Sequence, residues 1–266
     1  MHILKIIDKK MKNEKRVLDT YLGLCAEYYD LDKPILPQDE WDFYYEYAQR
    51  AQGIILEPMC GSGRFLLPLR NHGCDVRGFD ASSSMLKRLY AQCVGTDYAQ
   101  YVWQGFIEDL DQVDNYSLAF IPSGSFNLIA DKHAAQLSLN KLYQSLLKEG
   151  LLVIELMTTQ YAQSQEYESY FYSSVQRNET TYINLKTKHT AFIDGVSQSV
   201  CTYVLVENNQ PIATESEIYS LRFYDPQEFK GMLEQAGFSE VKYIKAFEYG
   251  TEASMDDTII VFECKK

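Results

Sequence analysis

Apolar positions along the chain alternate between two spacings. The continuous run GIILEP (residues 53–58) reads as a buried strand. SGRFLLPLRNHG (62–73) then places its apolar residues at helical intervals and stops at Gly73. Pro68 fits only near the start of that helix, so distortion is expected there. CDVRGFD (74–80) is a second strand and ASSSMLKRLYAQC (81–93) a second helix. AQYVWQG (99–105) is a short third strand, followed by the acidic turn IEDLDQVD (107–114). YSLAFIP (116–122) makes a fourth strand. AAQLSLNKLYQSLLKEG (134–150) is a long amphipathic helix ending at Gly150, and LLVIELM (151–157) is a fifth strand. Strands and helices alternating at this spacing predict a parallel sheet covered on both faces.

Two helical segments lead into this core, EKRVLDTYLGLCAEYYD (14–30) and, after the break at Pro34 and Pro37, EWDFYYEYAQR (40–50) with Asp39 as its cap. The pattern changes after Met157. A tyrosine-rich stretch (161–174) precedes three strand-like segments, TTYINLKTKHTAFI, SQSVCTYVLVE and PIATESEIYSLRFY, separated by turn residues. They predict an antiparallel meander. Helical spacing returns at DPQEFKGMLEQAG (225–237), with Asp225 as cap and Pro226 at the first helical position, and two more strands close the chain. The expected fold is α/β, a Rossmann-like, mostly parallel seven-stranded sheet with helices on both faces and a three-stranded antiparallel insertion after strand five. The expected division is 1–52 for the leading helices, 53–160 with 225–266 for the core, and 161–224 for the insertion.

Composition narrows the function classes. With 266 residues, 46% of them hydrophobic, the chain can bury a sizeable core. No apolar run approaches the roughly 18–20 residues that span a bilayer, and the basic N-terminal stretch has too short an apolar part for a secretory signal. The six cysteines are scattered, without CxxC pairs or metal-like spacing, which points to reduced thiols, a cytoplasmic protein and no bound metal. A net charge of −12 opposes binding to nucleic acid. Oligomeric state is not legible.

In such a sheet, ligands bind beyond the carboxyl ends of the strands, near the switch in strand order. Four segments converge there: EPMCGSG after strand one, Asp80 at the end of strand two, Phe106–Asp109 after strand three, and FIPSGSF after strand four. Gly61 and Gly63 either serve a tight turn or let the backbone approach a ligand. Asp80 either caps the following helix or accepts both hydroxyls of a ribose. Leu66 stands where a dinucleotide fingerprint needs glycine, and Gly63-Arg64-Phe65 replaces the GK[ST] of a phosphate loop, so both pyrophosphate readings, NAD included, fail. A ligand with a ribose and no pyrophosphate remains. Cys60 reads as a packing thiol.

ILEPMCGSGRF, GFDASSSML and LLKEGLLVIEL resemble the successive motifs of class I S-adenosylmethionine-dependent methyltransferases, over about Gly53 to Met157 and again in the final strands. The insertion, with YYD near the N-terminus, is similar to the small-molecule N-methyltransferase branch. The resemblance implies S-adenosylmethionine as cofactor. It places Pro58, Gly61 and Gly63 in the loop beside the methionine part, Glu57 near the ammonium group, and Asp80 on the ribose. Ala81 and Met85 fall on the adenine or ribose edge, Ile107 and Glu108 at the adenine, and Ile121 and Pro122 on the methyl-donor side. Gly105-Phe106 departs from the family's Gly-Asp, so the adenine acid is either missing or moved to Glu108 or Asp109. The tetrad that marks amino-group methylation of bases is absent. The implied reaction is in-line methyl transfer to a small-molecule amine or hydroxyl; a protein or RNA acceptor and a non-catalytic binding module are the alternatives. His133 reads as a general base or a structural residue, and Tyr28 and Tyr29 as reaching over the cofactor or packing. The tyrosines from Tyr161 to Tyr172 read as an aromatic lid or as ordinary exposed or packed residues; no catalytic base stands out.

Overall fold

The computed structural model describes residues 18–164 and 170–266, so the start of the first expected helix lies outside the described residues. Helix α1 spans Gly23–Asp32 and α2 spans Gln38–Arg50. Asp39 lies inside the first turn of α2 rather than before it, where its carboxylate accepts the Glu40 amide at 3.0 Å. Strand β1 (Ile55–Pro58) leads through the glycine loop to α3 (Leu66–Asn71), so Pro68 does sit in a first helical turn. Then follow β2 (Val76–Asp80), α4 (Ser83–Gln92), β3 (Val102–Gln104), β4 (Tyr116–Ile121), α5 (Lys132–Ser145) and β5 (Leu146–Met157).

Strand β5 begins five residues earlier than expected. The helix-favouring LLKEG is drawn into the sheet because Leu146 pairs with Tyr116 and Lys266 N–H donates to the Gly150 carbonyl at 2.9 Å. Gly150 fits there because a β-carbon would lie 2.8 Å from the Leu147 carbonyl oxygen and 3.2 Å from that of Tyr116.

After the short helix α6 (Thr159–Gln163) come β6 (Tyr170–Gln176), β7 (Thr181–Ile193), β8 (Val196–Glu207) and β9 (Gln210–Arg222), a separate antiparallel sheet in that order. The insertion therefore has four strands, not three. Tyr170 and Tyr172 of β6 are exposed and only Val175 is buried, so the inward-outward alternation that marks a strand is faint there. Helix α7 (Pro226–Ala236) starts as expected, with the Asp225 side chain accepting two amides of its first turn. Strands β10 (Ser239–Lys245) and β11 (Ile259–Lys265) complete the main sheet, ordered β10-β11-β5-β4-β1-β2-β3. β1 to β5 pair in parallel, and β11 runs antiparallel to both neighbours.

Both faces of the main sheet are covered. Leu56, Ile121, Leu152 and Ile154 share a core with Leu139, Leu142, Phe229 and Leu233 of α5 and α7. On the other face, Ile55, Phe120 and Val153 meet Phe43, Tyr44 and Tyr47 of α2, with α3 and α4 alongside. The switch in strand order lies at β1, flanked by β2 on one side and β4 on the other. Its carboxyl end is where the glycine loop begins.

Candidate functional site

The loop after β1 is shaped by three left-handed residues, Met59 (φ 58°), Gly61 (φ 56°) and Gly63 (φ 88°). It is tied to β2 by Cys60 N–H donating to the Phe79 carbonyl at 3.0 Å and Gly61 N–H donating to Asp80 Oδ2 at 2.9 Å. The other Asp80 oxygen accepts Ser82 N–H at 2.7 Å. The Ser82 hydroxyl then caps α4 through the Met85 amide at 3.1 Å and donates to the Tyr21 carbonyl at 2.7 Å. One carboxylate thus joins the glycine loop to the start of α4. It keeps acceptor capacity on both oxygens, because a carboxylate offers about four lone-pair positions.

Above these strand ends lies a cavity of about 230 Å³. Glu57, Gly61, Asp80 and Ala81 line it, as do Met85, Ile107, Glu108 and Pro122, which brings together eight of the eleven residues expected from sequence. Pro58, Gly63 and Ile121 do not line it. Pro58 is buried within β1, and Ile121, the last residue of β4, is fully buried in the core. Gly63 turns inward, where an added β-carbon would meet Leu67 Cγ at 2.9 Å and Leu89 Cδ1 at 3.1 Å. The second glycine serves packing while the first faces the cavity. Asp109 is exposed and away from the lining, whereas Glu108 belongs to it.

Burial governs the electrostatics. Asp80 is pushed up to about 6 by burial, against the pull of the Ser82 and Gly61 amides. Glu57 is 2% exposed. Burial, reinforced by the charge of Asp80, raises its carboxyl well above the usual range, with one backbone bond from Leu66 opposing. Its Oε2 is buried and has no hydrogen-bond partner among the described residues. A buried carboxylate oxygen left unpaired beside a cavity is costly unless a donor arrives. Cys60 also lines the cavity, but burial pushes its thiol well up, which suits a packing role.

Sequence reasoning missed Arg64. It lines the cavity with its Nε buried and unpartnered among the described residues, and Nη2 lies 3.4 Å from Glu40. Its only signal was a lone cation directly after the glycines. The two candidate tyrosines of α1 part ways: Tyr29 lines the cavity, while Tyr28 is buried against Tyr203 of the second sheet. Tyr21, at the cavity wall, stacks edge-on with Tyr219 of β9 at 6.2 Å, which joins the insertion to the rim. His133 is exposed in the first turn of α5, outside the lining. Tyr161 stacks on Phe223 at 5.9 Å beyond the end of β5. Among the described residues no cluster of His, Cys, Asp and Glu is placed to hold a metal, and no helix is long and apolar enough to cross a membrane.

No family model matches the chain. It is 22% identical over 246 residues to the Bacillus subtilis (strain 168) protein named "Putative methyltransferase YqeM", an alignment covering 92% of this chain and 97% of that one. Among solved structures, it is similar to an S-adenosylmethionine-dependent methyltransferase from Clostridium acetobutylicum ATCC 824, with a TM-score of 0.72, 16% identity, and coverage of 90% of this chain and 96% of that one. It is also similar to the sugar N-methyltransferase KedS8 from Streptoalloteichus sp. ATCC 53650, with a TM-score of 0.71, 18% identity, and coverage of 96% and 97%. The chain has the fold of these methyltransferases.

Proposed function

We propose that the protein is an S-adenosylmethionine-dependent methyltransferase acting on a small-molecule amine or hydroxyl. The observation that carries this reading is the pairing, in one cavity, of a buried Glu57 oxygen with no partner among the described residues and Asp80 held at the end of β2. Glu57 suits the ammonium group of the cofactor, directly or through an ordered water. Asp80 suits the ribose hydroxyls with the lone pairs its two amide donors leave unused. Arg64 suits the methionyl carboxylate, its Nε being a donor without an acceptor among the described residues. Gly61, Ala81, Met85, Ile107, Glu108 and Pro122 supply the remaining contact surface.

The cofactor supplies a methyl group already activated on sulfonium, so the protein's task is to align the acceptor and exclude water. Tyr21, Tyr29 and Tyr219 give the rim an aromatic wall that suits a neutral or cationic acceptor. The solved sugar N-methyltransferase and the net charge of −12 both favour an amine over a polyanion. In this reading residues 161–224 form a lid over the acceptor, and residues 1–52 cover the cofactor.

Calorimetry with S-adenosylhomocysteine, S-adenosylmethionine and NAD tests the cofactor. Saturable heat is expected with the two sulfur compounds alone, and binding of NAD alone would overturn the reading. Incubation with methyl-labelled cofactor and either a low-molecular-weight extract or macromolecules tests the acceptor. Label confined to RNA or protein would refute the small-molecule assignment.

A further inference from the structure

Beneath the loop after β4 lies a second buried acid that the cofactor reading does not use. Glu155, on β5 and 4% exposed, sits behind that loop on the α2 side of the sheet. Its Oε2 accepts two hydrogen bonds, from the Ser123 amide at 2.9 Å and from the Tyr44 hydroxyl at 2.9 Å. Ser123 lines the cavity next to Pro122. It is left-handed (φ 58°) and is followed by another left-handed residue, Gly124 (φ 62°). A serine in that conformation needs outside contacts to stay there. On the loop's inner side the Ser125 hydroxyl donates to the Pro122 carbonyl at 2.8 Å. The Ser123 amide itself is held by Glu155.

We propose that Glu155 is a positioning residue: ionised, it holds the loop after β4 in the shape that walls the cavity, and protonated, it relaxes that hold. The proposal rests on the cofactor reading only where it links the loop to ligand affinity.

The chemistry follows from the two donors. Both bonds are charge-assisted when the carboxyl is ionised and weaken to ordinary ones when it is protonated. Burial favours protonation, and the Ser123 amide and Tyr44 hydroxyl oppose it, leaving the group pushed up to about 7. The other groups that face it are Glu40 of α2, which favours protonation, and Arg64 of the glycine loop and Lys33 beyond α1, which favour the charge. The loop's hold therefore changes within the physiological range.

The test needs no ligand. In the full-length ¹⁵N-labelled protein, the Ser123 amide resonance is expected to titrate between pH 6 and pH 8, with hydrogen-exchange protection lost on the acid side. In Glu155→Gln the inflection should vanish. Because both bonds go to one oxygen, the glutamine carbonyl can take both and the variant should fold. Tyr44→Phe removes one stabilising donor and should move the wild-type inflection to higher pH, which keeps the proposal testable if the first variant fails to fold. A flat Ser123 resonance in the wild type, or the same inflection in Glu155→Gln, overturns the proposal.

The link to the cavity is read as a ratio. The S-adenosylhomocysteine affinity of wild type over Glu155→Gln should change by about threefold or more between pH 6 and pH 8, the scale of a charged hydrogen bond becoming a neutral one. Asp80 and Glu57 titrate in both proteins and cancel. A ratio independent of pH overturns the link. Absence of heat in both proteins overturns the cofactor reading alone, since the amide titration decides the rest.

Discussion

Gly61 and Gly63 stand two positions apart and answer to different demands. Gly61 adopts a left-handed φ that alanine tolerates at a cost of about 1 kcal/mol, and its absent β-carbon would meet only the flexible end of Met85, at 3.1 Å. Gly63 would push a β-carbon to 2.9 Å from the branch carbon of Leu67, inside a packed core. Gly61→Ala should therefore lower stability by only about 1 kcal/mol and weaken S-adenosylhomocysteine binding. Gly63→Ala should lower stability by about 2 kcal/mol or more. Denaturation and calorimetry on both variants check this, and equal effects on stability would refute the division. Glu57 carries a second expectation. Its folded carboxyl sits above its unfolded range, so folded chain retains a proton that unfolded chain releases, and stability falls as pH rises between the two values. A cationic group docking at Oε2 favours the ionised form. Cofactor binding should thus release protons and tighten as pH rises. Calorimetry in buffers of differing ionisation enthalpy measures that release, and zero release would contradict the ammonium placement.

Helix α1 shows how an element can lie far in sequence from what completes it. No side chain of its own N-terminal residue caps it. Its first amides go instead to β9: Leu24 and Cys25 N–H donate to Glu215 Oε1 at 2.8 and 3.0 Å, and Leu22 N–H to Glu217 Oε2 at 3.3 Å. Charged acceptors at a helix N-terminus satisfy orphan donors and complement the dipole. Glu215→Ala should cost about 1–2 kcal/mol and raise hydrogen exchange at Leu24 and Cys25, while leaving the main sheet's amides protected. Unchanged exchange in α1 would refute it. Elements of this kind explain what was legible in the sequence. β1, the glycine loop, β2 and Asp80 announce themselves locally, by an apolar run, two glycines and a terminal acid. The Asp225–Pro226 helix start does the same. Strand β6 gives no such sign because its aromatics face outward. Arg64 and Glu155 acquire their meaning from Glu40, Tyr44 and Ser123, contacts that arise only on folding.

At the scale of the whole molecule, two sheets share one helix. The inner face of β6–β9, with Ile183, Tyr203 and Leu205, buries Cys25 and Tyr28 of α1, while Asp30 of the same helix pairs with Arg88 of α4 beside the main sheet. The order of synthesis gives this arrangement a consequence. Residues 23–32 leave the ribosome before β9 does, and the carboxylates that complete their helix follow some 190 residues later. At about 5–20 residues per second, that is a wait of roughly 10–40 s. During it a ten-residue segment cannot hold a stable helix alone. The β1–β5 core can begin to assemble within that interval, so α1 is among the last helices to be seated, and the wall it gives the cavity is finished only after β9 has arrived.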